Sequence, residues 1–435
     1  MILRIALFVL ALATPLRAEI AIQEVTSPGG IKAWLVEDHN IPFMALELRF
    51  RGGTSLDQPG KRGAVNLMAA TLEEGAGDLD AQAFATARDA LAARIGFEAS
   101  SDEVSVSAQI LSENREAALD LLRLALTAPR FDTDAVERVK GQVLAGLRAE
   151  EQDPSAIASK LARARSYGDH PYGSSGDGTV ESVTALNRDD VVAAWQGTMA
   201  RDRIYVAAAG DITAEELGLL LDKLLSGLPE TGWPMPPRAT LQEAGGVHVE
   251  PFPGPQSVVL FGHGGIGFDD PDFFAASLLN DILGGGRFSA RLMTEVREKR
   301  GLTYGIGTGL SARDLSAEWL GQFQASNEKV AEAIAVVREE WAKMAAGNVT
   351  AEELATAKTY MTGAYPLRFD GNGAIANILV GMQMLGLPPD YPKTRNDKVN
   401  AVTLEDVQRV AARLMKPENL FFTVVGQPVG LESSK

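Results

Sequence analysis

The sequence predicts an α+β protein built from one unit used twice, each unit a mainly antiparallel sheet with helices packed on one face. Three observations carry this expectation. Short runs alternating apolar and polar residues recur among longer runs of helical periodicity. A proline-rich break lies near the middle of the 435 residues. Two stretches on either side of that break share one order of features: TALNRDDVVAAWQGTMARDRIYVAAAGDI at 184–212 and NAVTLEDVQRVAARLMKPENLFFTVVGQP at 400–428. Each runs polar cap, acidic first turn, amphipathic helix, basic end, apolar strand and glycine. Thr403 with Asp406 three residues on fits a capped helix start.

The elements follow in order. Residues 31–37 and 42–50 alternate as strands around a turn at His39-Asn40, and Gly52-Gly53 ends the second. Residues 63–73 read as a helix through Val65, Leu67, Met68 and Leu72, stopped by Gly75. A helix at 80–94, a strand at 103–110 and helices at 113–127 and 132–151 come next, the last closed by Asp153-Pro154. Another helix opens near Ser155, then 188–199 is helical, 203–209 a strand and 213–226 a helix. The first unit occupies 19–226. Residues 227–256 hold seven prolines with Gly245-Gly246 and read as a linker. The second unit, 257–435, restarts with a strand at 257–262. Helices at 271–283 and 287–300, strands at 302–310 and 317–325, helices at 327–346, 350–365, 372–386 and 403–415, and a strand at 420–426 complete it.

Composition narrows the partners. A hydrophobic share of 46% with 23% charged residues is that of a globular protein. The formal net charge of −16 argues against nucleic acid and anionic lipid, where a basic face would be needed. Residues 1–18, MILRIALFVLALATPLRA, have the shape of a secretory signal peptide. Arg4 is followed by an apolar run too short to span a membrane, then Pro15 and Ala18. The expected destination is the periplasm or the cell exterior. The chain has no cysteine, so thiolate chemistry and thiolate metal sites are excluded.

The stretch Leu283–Ile306, LGGGRFSARLMTEVREKRGLTYGI, carries the chemistry. Gly284-Gly285-Gly286 lacks the P-loop spacing and reads as a tight entry to the helix 287–300. Phe288, Leu292 and Val296 recur every four residues as its buried stripe, and Gly301 stops it. Arg297 at the helix end and Tyr304 on the following strand could converge on one point. There they would hydrogen-bond a peptide carbonyl oxygen as charge builds on it. Taken singly, Arg297 reads as a surface cation and Tyr304 as a half-buried strand residue.

This stretch resembles the second-half signature of the M16 (pitrilysin-like) family of zinc peptidases, through Ala290-Arg291-Leu292, Arg297-Glu298, Gly301-Leu302 and Tyr304. His170-Pro171-Tyr172-Gly173 resembles a first-half element of that family, and the duplication and linker fit it too. The resemblance implies two M16-type domains, with Arg297 and Tyr304 as binders of the substrate carbonyl. It also implies an inverted zinc motif, His-x-x-Glu-His, opening the helix after Gly63, with a further Glu on a later helix. Here Asn66 and Ala70 stand at the two His positions, Ala69 at that of the base Glu, and Ala145-Gly146 at the later ligand region. His39, His170, His248 and His263 are the chain's four histidines, and no two have ligand spacing.

The resemblance therefore implies a non-catalytic, substrate-binding subunit that binds no cofactor itself. Zinc would sit on an HxxEH-bearing sister chain, and the pair would make one peptidase. The alternative is a zinc-free structural or chaperone-like peptide-binding protein with no part in hydrolysis. Whether the chain pairs with itself when alone is left open, as are the sequence and length of its peptide.

Overall fold

A computed structural model describes residues 21–242 and 245–434. The signal segment 1–18 lies outside them. The first half runs β1 (Gln23–Thr26), β2 (Lys32–Glu37), β3 (Phe43–Arg51), α1 (Ala64–Thr71), a two-stranded ribbon of β4 (Gly75–Ala76) and β5 (Leu79–Asp80), and α2 (Ala81–Ala90). It continues with β6 (Arg94–Ala99), β7 (Glu103–Leu111), α3 (Arg115–Thr127), α4 (Thr133–Glu150), α5 (Pro154–Tyr167), α6 (Val180–Ala185), α7 (Arg188–Thr198), β8 (Ile204–Gly210) and α8 (Ala214–Leu225). The second half runs β9 (Gly246–Pro251), β10 (Gln256–Gly264), α9 (Phe273–Gly284), a π-helical segment (Met293–Glu298), β11 (Ile306–Ala312) and β12 (Ala317–Ser326). It ends with α10 (Val330–Ala345), α11 (Ala351–Ala364), α12 (Asn372–Met384), α13 (Tyr391–Ala401), α14 (Leu404–Leu414) and β13 (Phe421–Gly426).

The duplication is visible in strand order. The first sheet is β1-β2-β8-β3-β7-β6 and the second is β9-β13-β10-β12-β11. Without β1, each strand of one has its counterpart in the other. Only β2–β8 and β9–β13 pair in parallel, and the remaining neighbours in both sheets are antiparallel. The paired helix starts match as well: Asn187 with Asp190 opens α7 and Thr403 with Asp406 opens α14, both as reciprocal capping boxes. The segment 227–256 is not wholly a linker, because Gly246–Pro251 forms β9 along β13.

Strand alternation builds two layers of core per sheet. Met44, Leu46, Leu48 and Phe50 of β3 and Val206 and Ala208 of β8 face the first half's own helices, and Val259, Phe261, Phe422 and Val424 do the same in the second. The opposite faces receive a helix from the other half. Ala376, Leu379 and Val380 of α12 pack on Trp34, Ala45, Ala207 and Ala209 of the first sheet. Reciprocally, Ile157, Ala158 and Leu161 of α5 pack on Val258, Leu260 and Val425 of the second. The exchanged helices occupy the same place in the two repeats.

A second tie is the hairpin turn between β11 and β12. Tyr172 hydroxyl donates to Asp102 and accepts from Leu315 N at 3.1 Å, while the Arg313 guanidinium lies 3.5 Å from the Tyr172 ring centroid. Arg51 holds Asp314 through two bonds of 2.7 and 2.6 Å. His170 Nδ1 accepts from Tyr172 N at 3.1 Å and its Nε2 donates to Pro237 O at 3.0 Å. The His-Pro-Tyr-Gly segment is thus a clasp between the halves.

Candidate functional site

The helix of the expected zinc motif is in place but carries no donor set. Gly63 opens α1 at φ 96°, and a Cβ there would lie 2.7 Å from Asp177 O, so only glycine fits. Asp57 caps the helix from outside: its carboxylate accepts from Gly63 N and Val65 N, each at 2.9 Å, and pairs with Arg62 at 3.2 Å. Burial pushes the Asp57 carboxyl up, and these donors pull it back. Asn66 is half-buried, Ala69 is buried in the core, Ala70 is exposed, and Gly146 on the neighbouring α4 is exposed with open space beside it. One amide among two methyls and a glycine does not fit a zinc ion, which takes three or four His, Cys or carboxylate donors. Among the described residues no three such side chains converge anywhere.

The histidines are used structurally. His39 bonds the Asp211 carboxylate at 2.7 Å on the surface. His170 belongs to the clasp, and the exposed edge of His248 lies 3.8 Å from Glu250. His263 is buried: its Nδ1 donates to Gly264 O at 2.7 Å and its Nε2 accepts from the Trp341 indole at 3.0 Å. That pattern fixes the neutral ring, and burial lowers its pKa. The adjacent acids Glu73 and Glu74 are not free either, being paired with Arg88 and Arg138.

The second half places Arg297 and Tyr304 differently from expectation. Gly284 ends α9 where a Cβ would meet Thr308 Oγ1 at 2.7 Å, and Arg287 pins the glycine turn through Asp281. The following helix begins only at Arg291 and passes into π geometry over Met293–Glu298, with Lys299 N bonding Thr294 O across five residues. Widening the turn changes which residues share a face. Leu292 and Val296 are buried as expected, but Phe288 lies before the helix and is 67% exposed. Its ring instead sits 5.1 Å from the Arg297 guanidinium.

Neighbouring cations are neutralised: Arg291 by Glu353, and Lys299 and Arg300 by Glu295. Among the described residues Arg297 has no carboxylate partner. Tyr304 is not on the strand, since β11 starts at Ile306. It stands in the loop before β11, 90% exposed, between Thr303, whose hydroxyl donates to Gln324 O at 2.6 Å, and the strand itself. Among the described residues no hydrogen bond joins Arg297 to Tyr304.

Tyr304 lines a cavity of about 1420 Å³ that sequence reasoning did not reveal. Its walls come from both halves: α5 through Ser159 and Arg163, the β6–β7 turn through Ser101, and the strands β10 to β12 through Gln322. The exchange of α5 creates it, because a first-half helix lies along the second-half sheet. A nearly apolar α12 hinted at one exchanged helix, but nothing in α5 marked it as a wall.

A repeated sheet-and-helix unit, a first-half helix without metal donors at the expected positions and, among the described residues, an Arg without a carboxylate partner near an exposed Tyr in the second half define the class: a peptidase-type fold with a changed donor set. The chain is similar to proteins of the M16 peptidase family. The family model described as peptidase M16 inactive domain matches residues 185–361. A crystal structure of a peptidase M16 inactive domain from Pseudomonas fluorescens superimposes with a TM-score of 0.87 at 29% identity, covering 95% of this chain and 100% of that one. A protein from Helicobacter pylori named a non-peptidase homolog is 25% identical over 89% of this chain and 90% of its own length. One from Streptomyces coelicolor named an uncharacterized zinc protease is 24% identical over 90% of this chain and 86% of its own.

Proposed function

We propose that this inactive M16-family chain is the substrate-binding subunit of a heterodimeric zinc metallopeptidase. The observation that carries the reading is the contrast within one chain. The α1 positions offer no metal donors, whereas Arg297 keeps a guanidinium without a carboxylate partner and Tyr304 a phenol exposed beside a large cavity. Hydrolysis is completed on an HxxEH-bearing sister chain that brings the zinc. Arg297 and Tyr304 supply two donors to the carbonyl oxygen of the peptide held there. Such donors stabilise developing charge through geometry, so they can come from a second chain. We place the complex outside the cytoplasm, on the strength of the signal-like residues 1–18.

Co-expression with the sister chain tests this. Peptide cleavage and bound zinc are measured for the lone chain and for the mixture. The lone chain should have neither, and the mixture both. In the mixture, Arg297→Ala and Tyr304→Phe should each lower kcat well over tenfold, since a lost oxyanion donor costs about a hundred- to a thousandfold. Zinc with activity in the lone chain, or unchanged kcat in both variants, refutes the assignment.

A further inference from the structure

The cavity has a chemical polarity that the overall charge of −16 conceals. Arg163 of α5 and Arg313 of the β11–β12 turn both line it. Among the described residues Arg163 makes no ion pair or hydrogen bond, and its Nε is buried without a partner. Burial and then the nearby Arg313 are what most lower the Arg163 guanidinium, so the two cations sense one another. Arg313 is only loosely neutralised, with Asp102 at 3.9 Å and the Tyr172 face at 3.5 Å.

The acids nearby are engaged or remote. Asp102 already accepts from the Tyr172 hydroxyl and from Asp314 N at 3.3 Å. Glu318 also lines the cavity, buried beside the Tyr167 phenol; burial pushes its carboxyl up, and Tyr167 and Arg313 draw it back. Asp177 and Glu150 reach Arg163 only through long-range attraction. Two under-neutralised guanidiniums in one cavity are costly unless an anion joins them. Ser159 and Ser155 lie four and eight residues before Arg163 on the same face of α5, adding hydroxyls along the wall.

We propose that this part of the cavity is a carboxylate subsite, in which Arg163 and Arg313 grip an anionic group of a bound peptide. A guanidinium pair matches the planar carboxylate fork. The group is either the peptide's C-terminal carboxylate or an Asp or Glu side chain. This rests on the peptide-binding part of the reading above and not on hydrolysis.

The test uses the full chain alone and calorimetric titration with four N-acetylated peptides of equal length. One is neutral and amidated, one neutral with a free C-terminus, one amidated with an internal Asp, and one amidated with an internal Lys. An anionic peptide should bind at least about tenfold more tightly than the neutral amidated one, the scale of a charged hydrogen-bonded pair. Whichever anionic arm gains identifies the source of the carboxylate. Arg163→Gln and Arg313→Gln should erase that gain, and Arg163→Lys should restore part of it. Equal affinity for all four, or preference for the Lys peptide, overturns the subsite while leaving peptide binding intact. A preference that survives both Gln variants also overturns it, and no binding of any peptide overturns both. If the Gln variants fail to fold, the wild-type comparison still decides.

Discussion

Replacing Tyr172 by Phe removes one oxygen and no apolar contact, so it isolates the clasp between the halves. The hydroxyl donates to Asp102 and accepts from Leu315 N at 3.1 Å, in a residue 1% exposed. Losing a hydrogen bond to a carboxylate costs about 1.5–3 kcal/mol, and leaving the Leu315 N–H without its acceptor costs about 1 kcal/mol more. The destabilisation should therefore be about 2–4 kcal/mol. Urea unfolding followed by tryptophan fluorescence reports on both halves, through Trp34, Trp195 and Trp233 in the first and Trp319 and Trp341 in the second. For a denaturant slope of about 3 kcal/mol/M the midpoint should fall by roughly 1 M. Asp102→Asn supplies the second leg of a double-mutant cycle, and the coupling should be about 1–3 kcal/mol. A midpoint shift equivalent to less than about 0.5 kcal/mol, the scatter of a surface change, would show that the hydroxyl does not tie the hairpin down.

Other expectations concern stability in each layer. Leu379→Ala, on the fully buried face of α12, should cost about 3 kcal/mol by opening a cavity against the first sheet, measured as a lowered unfolding midpoint. Gly321→Ala should cost about 2 kcal/mol by overpacking, because its Cβ would stand 2.2 Å from Cζ of Phe261, a ring itself stacked on Phe422. His263 is held neutral, with its pKa lowered by burial. Its contribution to stability is thus present above the ordinary histidine value and lost as pH falls through the lowered one. Thermal unfolding between pH 7 and 5 should show a steeper acid loss for the wild type than for His263→Gln, which cannot titrate.

Much of the fold was legible because its signals are local. The strand β7 alternates cleanly, β3 alternates from Leu46 on, β8 and β10 are short apolar runs, and cap residues with Pro or Gly mark the helix ends. The elements missed have weak patterns. The β6 segment RIGFEA carries a glycine and two charges, and α13 buries only Tyr391 and Val399 among polar neighbours. Phe288 misled because the helix begins only at Arg291, so a repeat of four counted from Phe288 starts outside it. Arg297 and Tyr304 could be named from sequence, but their surroundings could not. Whether an arginine has a carboxylate partner depends on residues far along the chain, as Arg291 with Glu353 illustrates. Arg163 is the sharper case. Its position in a cavity wall follows from helix exchange, a long-range event with no mark in α5.

That exchange is reciprocal: α5 lies on the second sheet and α12, its counterpart, on the first. Reciprocal contact of equivalent parts is the geometry of a twofold homodimer interface, where what one subunit lends the other returns. The chain is therefore arranged as two subunits of a dimer joined end to end, with the proline-rich stretch as the suture. A protease nick between 229 and 242 should leave the halves associated, and the halves expressed separately should be soluble chiefly in each other's company. Such a fused pair can let its two halves diverge independently, so that equivalent positions need not carry equivalent residues.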